Sequence, residues 1–133
     1  MKLKDKVVLV TGGGRGIGRA VATACAREGA KVAICSRTDS EIEKTVAEIR
    51  GIRAECHGWT CDISQEEPVK KLIASVLDKF RRIDVLVNNA GVMTRAAAAH
   101  ELDVKKWDYT IAVNLRGTFL VTQAVLPMMI RQK

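Results

Sequence analysis

Aromatic side chains are scarce, 4% of the 133 residues, so the core of this chain has to be aliphatic. The same scarcity argues against a single-strand or RNA platform, which stacks bases on exposed rings. The four cysteines, Cys25, Cys35, Cys56 and Cys61, include no Cys-x-x-Cys pair, so metal-ligand spacing of the usual zinc kind is absent. Cys56-His57 with Cys61-Asp62 comes nearest to a metal set, but the segment reads as a strand, which sends Cys56 and His57 to opposite faces. Cys25 falls in a helical pattern and Cys35 ends a strand, so both read as small buried apolar residues. No stretch approaches the ~18 consecutive apolar residues of a membrane span. No basic-then-apolar leader precedes the first strand-like run, and the expected location is the cytoplasm, away from membranes.

What is present is the composition of a globular domain, 47% hydrophobic and 28% charged. A single domain is expected, large enough to bury roughly two thirds of its unfolded surface. The net charge of +7 is scattered over many elements, among them Lys2, Arg27, Arg50, Lys70, Lys71 and Arg131. A solvated basic surface is the plain reading. Nucleic-acid binding would rest on charge alone and is not expected.

Two periods alternate along the chain. KVVLV (6–10), KVAIC (31–35), the weaker RAECHGWTC (53–61) and IDVLV (83–87) are short apolar runs of the kind a parallel sheet buries on both faces. Helical patterns separate them. Ile17, Val21, Ala24 and Cys25 mark the first, ended by Gly29. Ile42, Val46 and Ile49 mark the second, with Thr38/Glu41 or Ser40/Glu43 as alternative capping boxes and Gly51 at its close. Val69, Leu72, Ile73, Val76, Leu77 and Phe80 mark the third, preceded by the box Ser64-Gln65-Glu66-Glu67, with Pro68 in its first turn. A last long pattern runs from about Val104 to Arg131, with Pro127 near its end. Alternating strands and helices predict a doubly wound α/β domain with parallel strand order 3-2-1-4. The ligand-binding switch point then falls between the first and fourth strands.

The segments that follow those two strands are TGGGRGIG (11–18) and NNAG (88–91). A strand entering a glycine-rich turn and then a helix makes an anion site, since exposed N–H groups and the positive helix end converge there. The glycines do not satisfy G-x-G-x-x-G in any register, but they fit T-G-x-x-x-G-x-G through Thr11, Gly12, Gly16 and Gly18. Asn88-Asn89-Ala90-Gly91 would by itself be an ordinary turn. Both motifs at the two edges of one switch point are far more specific.

With Asp62 after the third strand and Asn114 in Val113-Asn114-Leu115, the chain resembles the classical short-chain dehydrogenase/reductase family over essentially all its residues. KLKDKVVLVTGGGRGIG and GTFLVTQAVLP look most like its 3-oxoacyl-carrier-protein-reductase-like branch. Phe80-Arg81-Arg82-Ile83 departs from the family in lacking the glycine common at that helix end. The resemblance implies hydride transfer between a nicotinamide and a carbonyl or alcohol carbon of a small molecule. It also implies that Gly12, Gly16, Ile17 and Gly18 hold a pyrophosphate, that Asp62 and Ile63 hold adenine, and that Asn88, Ala90 and Gly91 line the ribose and adenine side. Of the family's catalytic set only Asn114 is matched, as a residue of a helix kink and proton relay. The single tyrosine, Tyr109, is followed four positions on by Val113, so Tyr-x-x-x-Lys is absent, and Tyr109 is expected to pack on the long helix. The family's catalytic serine lies beyond a fifth strand, which these residues do not reach.

The second strand ends Cys35-Ser36-Arg37, with no acid to accept a ribose 2′-hydroxyl. Arg37 and Arg15 can clamp a 2′-phosphate and Ser36 can donate to it, which favours NADP over NAD. Residues 1–133 are therefore expected to be the cofactor-binding part of one Rossmann-type domain, truncated before the fifth strand and inactive alone. A stand-alone dinucleotide-binding module is the alternative. Homo-oligomers are expected through the 104–131 helix, where Phe119, Leu120, Val121 and Leu126 widen the apolar surface, or through the unguarded edge of strand 83–87. Packing of those helix residues on the chain's own sheet is the competing reading.

Overall fold

Alternation along the first strand builds two cores, one on each side of a sheet. In the computed structural model, which describes Met1–Lys133, strands Val7–Thr11 (β1), Lys31–Ser36 (β2), Cys56–Thr60 (β3) and Val85–Val87 (β4) are parallel in the order β3-β2-β1-β4. Val8 and Val10 of β1, with Val32, Ile34 and Cys56, face helices Gly16–Arg27 (α1) and Asp39–Gly51 (α2) through Ala22, Ala26, Ile42 and Ile49. Val7, Leu9, Ala33 and Cys35 face the opposite layer, made by Glu66–Phe80 (α3) and the C-terminal helical run. Burial of these aliphatic faces, each side chain contributing about 1.5–3 kcal/mol, is the main force holding the layers together.

The strands β1 and β2 are buried as expected, whereas Val85, Leu86 and Val87 are half-buried because β4 has a neighbour on one side only. β4 is also shorter than the 83–87 run predicts. Asp84 instead turns its carboxylate back to accept from the Val7 amide at 2.9 Å, and the Gln132 side chain brackets Ile83, donating to its carbonyl at 2.9 Å. β3 begins at Cys56 rather than Arg53, because Arg53 sits in the left-handed region, at φ +64°, and closes the α2 turn in place of Gly51.

The long helix is not uniform. Val104–Ile111 (α4) passes through a π-helical segment, Ala112–Gly117, into Thr118–Gln132 (α5), which contains Pro127. The whole run, Val104–Gln132, is 29 residues with mean hydropathy 1.2 over its most apolar window, enough by length and composition alone to cross a membrane. Val113, Leu120, Val121 and Val125 are buried against the sheet and α3, while only 28% of that window is buried as a whole. Phe119 and Leu126 stay exposed, so packing on the chain's own sheet accounts for Leu120 and Val121 but not for these two.

None of the anticipated capping boxes forms. Thr38 and Gln65 occupy the N-cap positions of α2 and α3 without side-chain caps. α3 starts at Glu66, so Ser64 stands one residue before the cap position, and its hydroxyl donates to Asp62 Oδ1 at 2.7 Å instead.

Candidate functional site

At the C-terminal ends of the strands, a cleft of about 330 Å³ is lined by the glycine turn, the ends of β2 and β3, and the segment after β4. Thr11, 1% exposed, joins the two walls. Its hydroxyl accepts from the amides of Asn89 and Ala90, each at 3.0 Å, and lies 3.4 Å from the Val87 carbonyl. Asn89 Nδ2 returns the contact, donating to the carbonyls of Thr11 and Gly12 at 3.2 Å. Thr45, fully buried on α2, ties the turn from the other side by donating to the Gly14 carbonyl at 3.2 Å. The glycine turn is thus fixed from β4 and from α2 before any ligand arrives.

Two glycines show what the turn is shaped for. A Cβ at Gly18 would stand 2.1 Å from the Gly12 carbonyl oxygen, so the first turn of α1 can pack on the loop only without a side chain. Gly16 has φ +55° and nothing within 4 Å of where a Cβ would lie. Its bareness serves the left-handed backbone and leaves open space at the N-terminus of a 12-residue helix, where N–H groups and the helix dipole favour an anion.

Of the residues expected to bind a dinucleotide, Gly12, Arg15, Gly16, Ile17, Ser36, Arg37, Asp62, Ile63, Ala90 and Gly91 all line this cleft. Gly18 lies just beneath it, packed on Gly12. Asn88 does not line it. Its Nδ2 donates to Thr122 Oγ1 on α5 at 3.0 Å, because successive residues of an extended segment point to opposite faces, and Asn89 takes the cleft side. Asn89, Cys61, Val92 and Val113 are lining residues that the sequence reading left unassigned. The period-two rule puts Asn89 and Asn88 on opposite faces, but which face looks into the cleft is set by the pairing of β4 with β1.

The side chain of Asn114 grips Val92 at both ends of its amide. Its Oδ1 accepts from the Val92 amide at 2.7 Å and its Nδ2 donates to the Val92 carbonyl at 2.8 Å. Asn114 lies inside the π-helical segment, and this two-point clamp fixes the chain after β4 against it. Tyr109 does not pack along its helix; it is 39% exposed and its hydroxyl accepts a hydrogen bond from Arg37 Nη1.

Electrostatics separates the polar rim from a neutral floor. Cys35 and Cys61 lie in the floor, and burial is the main cause that pushes their thiols up to about 12 and about 11. Both stay protonated, apolar lining at neutral pH, not nucleophiles. At the rim Arg15 lies 3.9 Å from Glu41 and is 82% exposed. Arg37 has no carboxylate within ion-pair distance. The Asp62 carboxylate is held by the amide and hydroxyl of Ser64 through Oδ1, which leaves Oδ2 without a partner in the chain.

A strand-loop-helix anion cradle, facing an asparagine-bracketed loop across the switch point of a 3-2-1-4 sheet, defines a nucleotide-binding α/β protein. The chain belongs to the short chain dehydrogenase family, whose profile matches residues 6–133. It is 44% identical over 124 residues to D-threitol dehydrogenase of Mycolicibacterium smegmatis, covering 93% of this chain and 47% of that protein. It is 38% identical to a 3-oxoacyl-acyl-carrier-protein reductase of Thermotoga maritima, over all of this chain and 54% of that one. The chain therefore spans about half the length of these curated relatives. Among solved structures, a metagenomic short-chain oxidoreductase in complex with NADP superposes with a TM-score of 0.94 at 35% identity, covering 99% of this chain and 60% of that one. An NAD+-bound xylitol dehydrogenase superposes with a TM-score of 0.97 at 35% identity, covering 99% and 51%.

Proposed function

We propose that residues 1–133 form the dinucleotide-binding part of a single Rossmann-type domain in an oxidoreductase that interconverts a carbonyl and an alcohol on a small molecule, with NADP preferred to NAD. The observation that carries this reading is the open, left-handed Gly16 at a helix N-terminus, lining one cleft with Ala90 and Gly91, whose loop Thr11 anchors through the Asn89 and Ala90 amides. That arrangement fits a diphosphate approached by main-chain amides, and the residues present suit the cofactor. A nicotinamide dinucleotide, when bound, supplies the two-electron redox chemistry. Gly12, Gly16, Ile17 and Gly18 then face the diphosphate, Asp62 and Ile63 the base, and Ala90 and Gly91 the ribose side. Asn114 acts as a positioning residue, through its hold on Val92. The tyrosine-lysine pair and serine of the family's chemistry are not among these residues, so the chain on its own is expected to bind without turnover.

The preference for NADP rests on Ser36 and Arg37 at the end of β2, where no carboxylate waits for a 2′-hydroxyl. The relatives named above include one bound to each dinucleotide, so the distinction belongs to these side chains. Self-association is part of the same reading, through exposed Trp107, Leu115, Phe119 and Ile130 of the C-terminal helical run or through the open side of β4. A cytoplasmic location fits this assignment.

Titration with NADPH and NADH tests it. Saturable binding is expected, tighter for NADPH, and Arg37→Asp should reverse the order. Unchanged relative affinities in that variant would remove the NADP assignment. Indifferent binding of any polyanion with a steep salt dependence would remove the cofactor reading altogether.

A further inference from the structure

We infer that Tyr109 is a specificity-determining positioning residue: its phenol holds the Arg37 guanidinium at the cleft rim, ready for a ribose 2′-phosphate. The inference rests on the dinucleotide reading above and adds a residue, on a different element, that the sequence placed elsewhere.

The two cleft arginines are held differently. Arg15 stands near Glu41, so part of its charge is already offset. Arg37 donates through Nη1 to the Tyr109 hydroxyl, and its guanidinium carbon lies 5.6 Å from the tyrosine ring centroid. A guanidinium has five N–H donors and keeps its charge at every relevant pH. A neutral hydroxyl occupies one of them and cancels none of the charge. A carboxylate in the same place would hold the side chain equally well but would repel the incoming phosphate dianion. The remaining donors can make the paired contacts that phosphate favours. Arginine loses much side-chain freedom when it is ordered. An anchor present before binding removes part of that cost from the binding step.

The anchor reaches the rim through the fold. Tyr109 is in the last turn of α4, and α4 runs into the π-helical segment that Asn114 clamps to Val92 on the β4 side of the cleft. Arg37 comes from the end of β2, on the far side of β1 from β4. Tyr109 thus ties the two sides of the switch point together above its floor. Ser36 lines the same cleft as Arg37, its Oγ accepting from the Thr38 amide at 3.3 Å, which leaves its hydroxyl proton free to donate.

The test is a double-mutant cycle on this chain, with Tyr109→Phe, Arg37→Met and the double variant, reading dissociation constants for NADPH and NADH. Losing the anchor returns part of the arginine's ordering cost to the binding step, so Tyr109→Phe should weaken NADPH about three- to tenfold and leave NADH within about twofold. In the Arg37→Met background, Tyr109→Phe should have no further effect on the NADPH/NADH ratio. A merely structural tyrosine would weaken both nucleotides alike and would do so in both backgrounds. If Arg37→Met abolishes the preference for NADPH and Tyr109→Phe leaves it intact, the role of Tyr109 is refuted while the NADP reading survives. If Arg37→Met leaves the preference intact, or neither nucleotide binds, the underlying reading fails and this inference falls with it.

Discussion

Replacing Thr11 by valine changes almost no volume and removes one oxygen, and the structure makes that oxygen the joint of the site. Two backbone donors, Asn89 N–H and Ala90 N–H, each 3.0 Å from the hydroxyl, lose their partner at once. An unpaired buried donor costs about 1–3 kcal/mol. Asn89 and Ala90 are half-buried, so water recovers part of the loss and the sum falls near 2–4 kcal/mol, not the ~6 of two fully dry donors. Against a total stability of about 5–15 kcal/mol for a domain, that is a large share. Urea unfolding followed by the fluorescence of half-buried Trp59 reads the change in midpoint. Thr11→Ser keeps the oxygen and loses only a methyl, so it should cost about 1 kcal/mol. Nucleotide affinity should fall in the valine variant and hold in the serine one. A valine variant within about 0.5 kcal/mol of the parent, with unchanged affinity, would refute the idea that this hydroxyl sets the spacing of the two strand ends.

Two further outcomes follow from the backbone and from charge. Arg81 ends α3 at φ +70°, a conformation that costs a side-chain-bearing residue roughly 1–2 kcal/mol and glycine nothing but entropy. Arg81→Gly should therefore raise stability by about 0.5–1 kcal/mol, seen as a higher thermal midpoint. Asp84 is the pH probe. Burial raises its pKa, but the Arg82 hydrogen bonds, the Val7 amide and the nearby positive charges outweigh that and hold the carboxyl below its ordinary value of 3.8. A depressed folded value means that its contribution is fully present above the ordinary value and is lost as pH falls through the lower, folded one. Asp84→Asn should accordingly lower the thermal midpoint at pH 7, and the gap to the parent should close as the pH falls below 3.8.

The sheet order is legible in the sequence because it follows from alternating periods and the single hand of parallel crossovers, which KVVLV, KVAIC and IDVLV are enough to invoke. The glycine turn was legible for a similar reason, since each bare position answers a local demand of the backbone. What could not be read was the choice among partners that tertiary structure brings together. Asn88 and Asn89 are alike in type, and only the pairing of β4 with β1 decides which one faces the cleft. The Ser64 box fails because α3 starts one residue later than the box requires, with Gln65 at the cap position and Ser64 turned to Asp62. The long helix departs from α-helical form around an asparagine whose partner, Val92, lies 22 residues away in sequence. Tyr109 and Arg37 are 72 positions apart, beyond the reach of any local pattern.

The central claim is that bare amides at the ends of β1 and β4 grip one diphosphate between them. Backbone amide shifts of the isotopically labelled chain, followed during NADPH titration, test it most directly. The account predicts saturable shifts largest at Gly16, Ile17, Gly18, Ala90 and Gly91, with Asp62 and Ile63 next. Shifts spread over the basic outer surface at Arg50, Lys70 and Lys71, with the glycine turn silent, would contradict it.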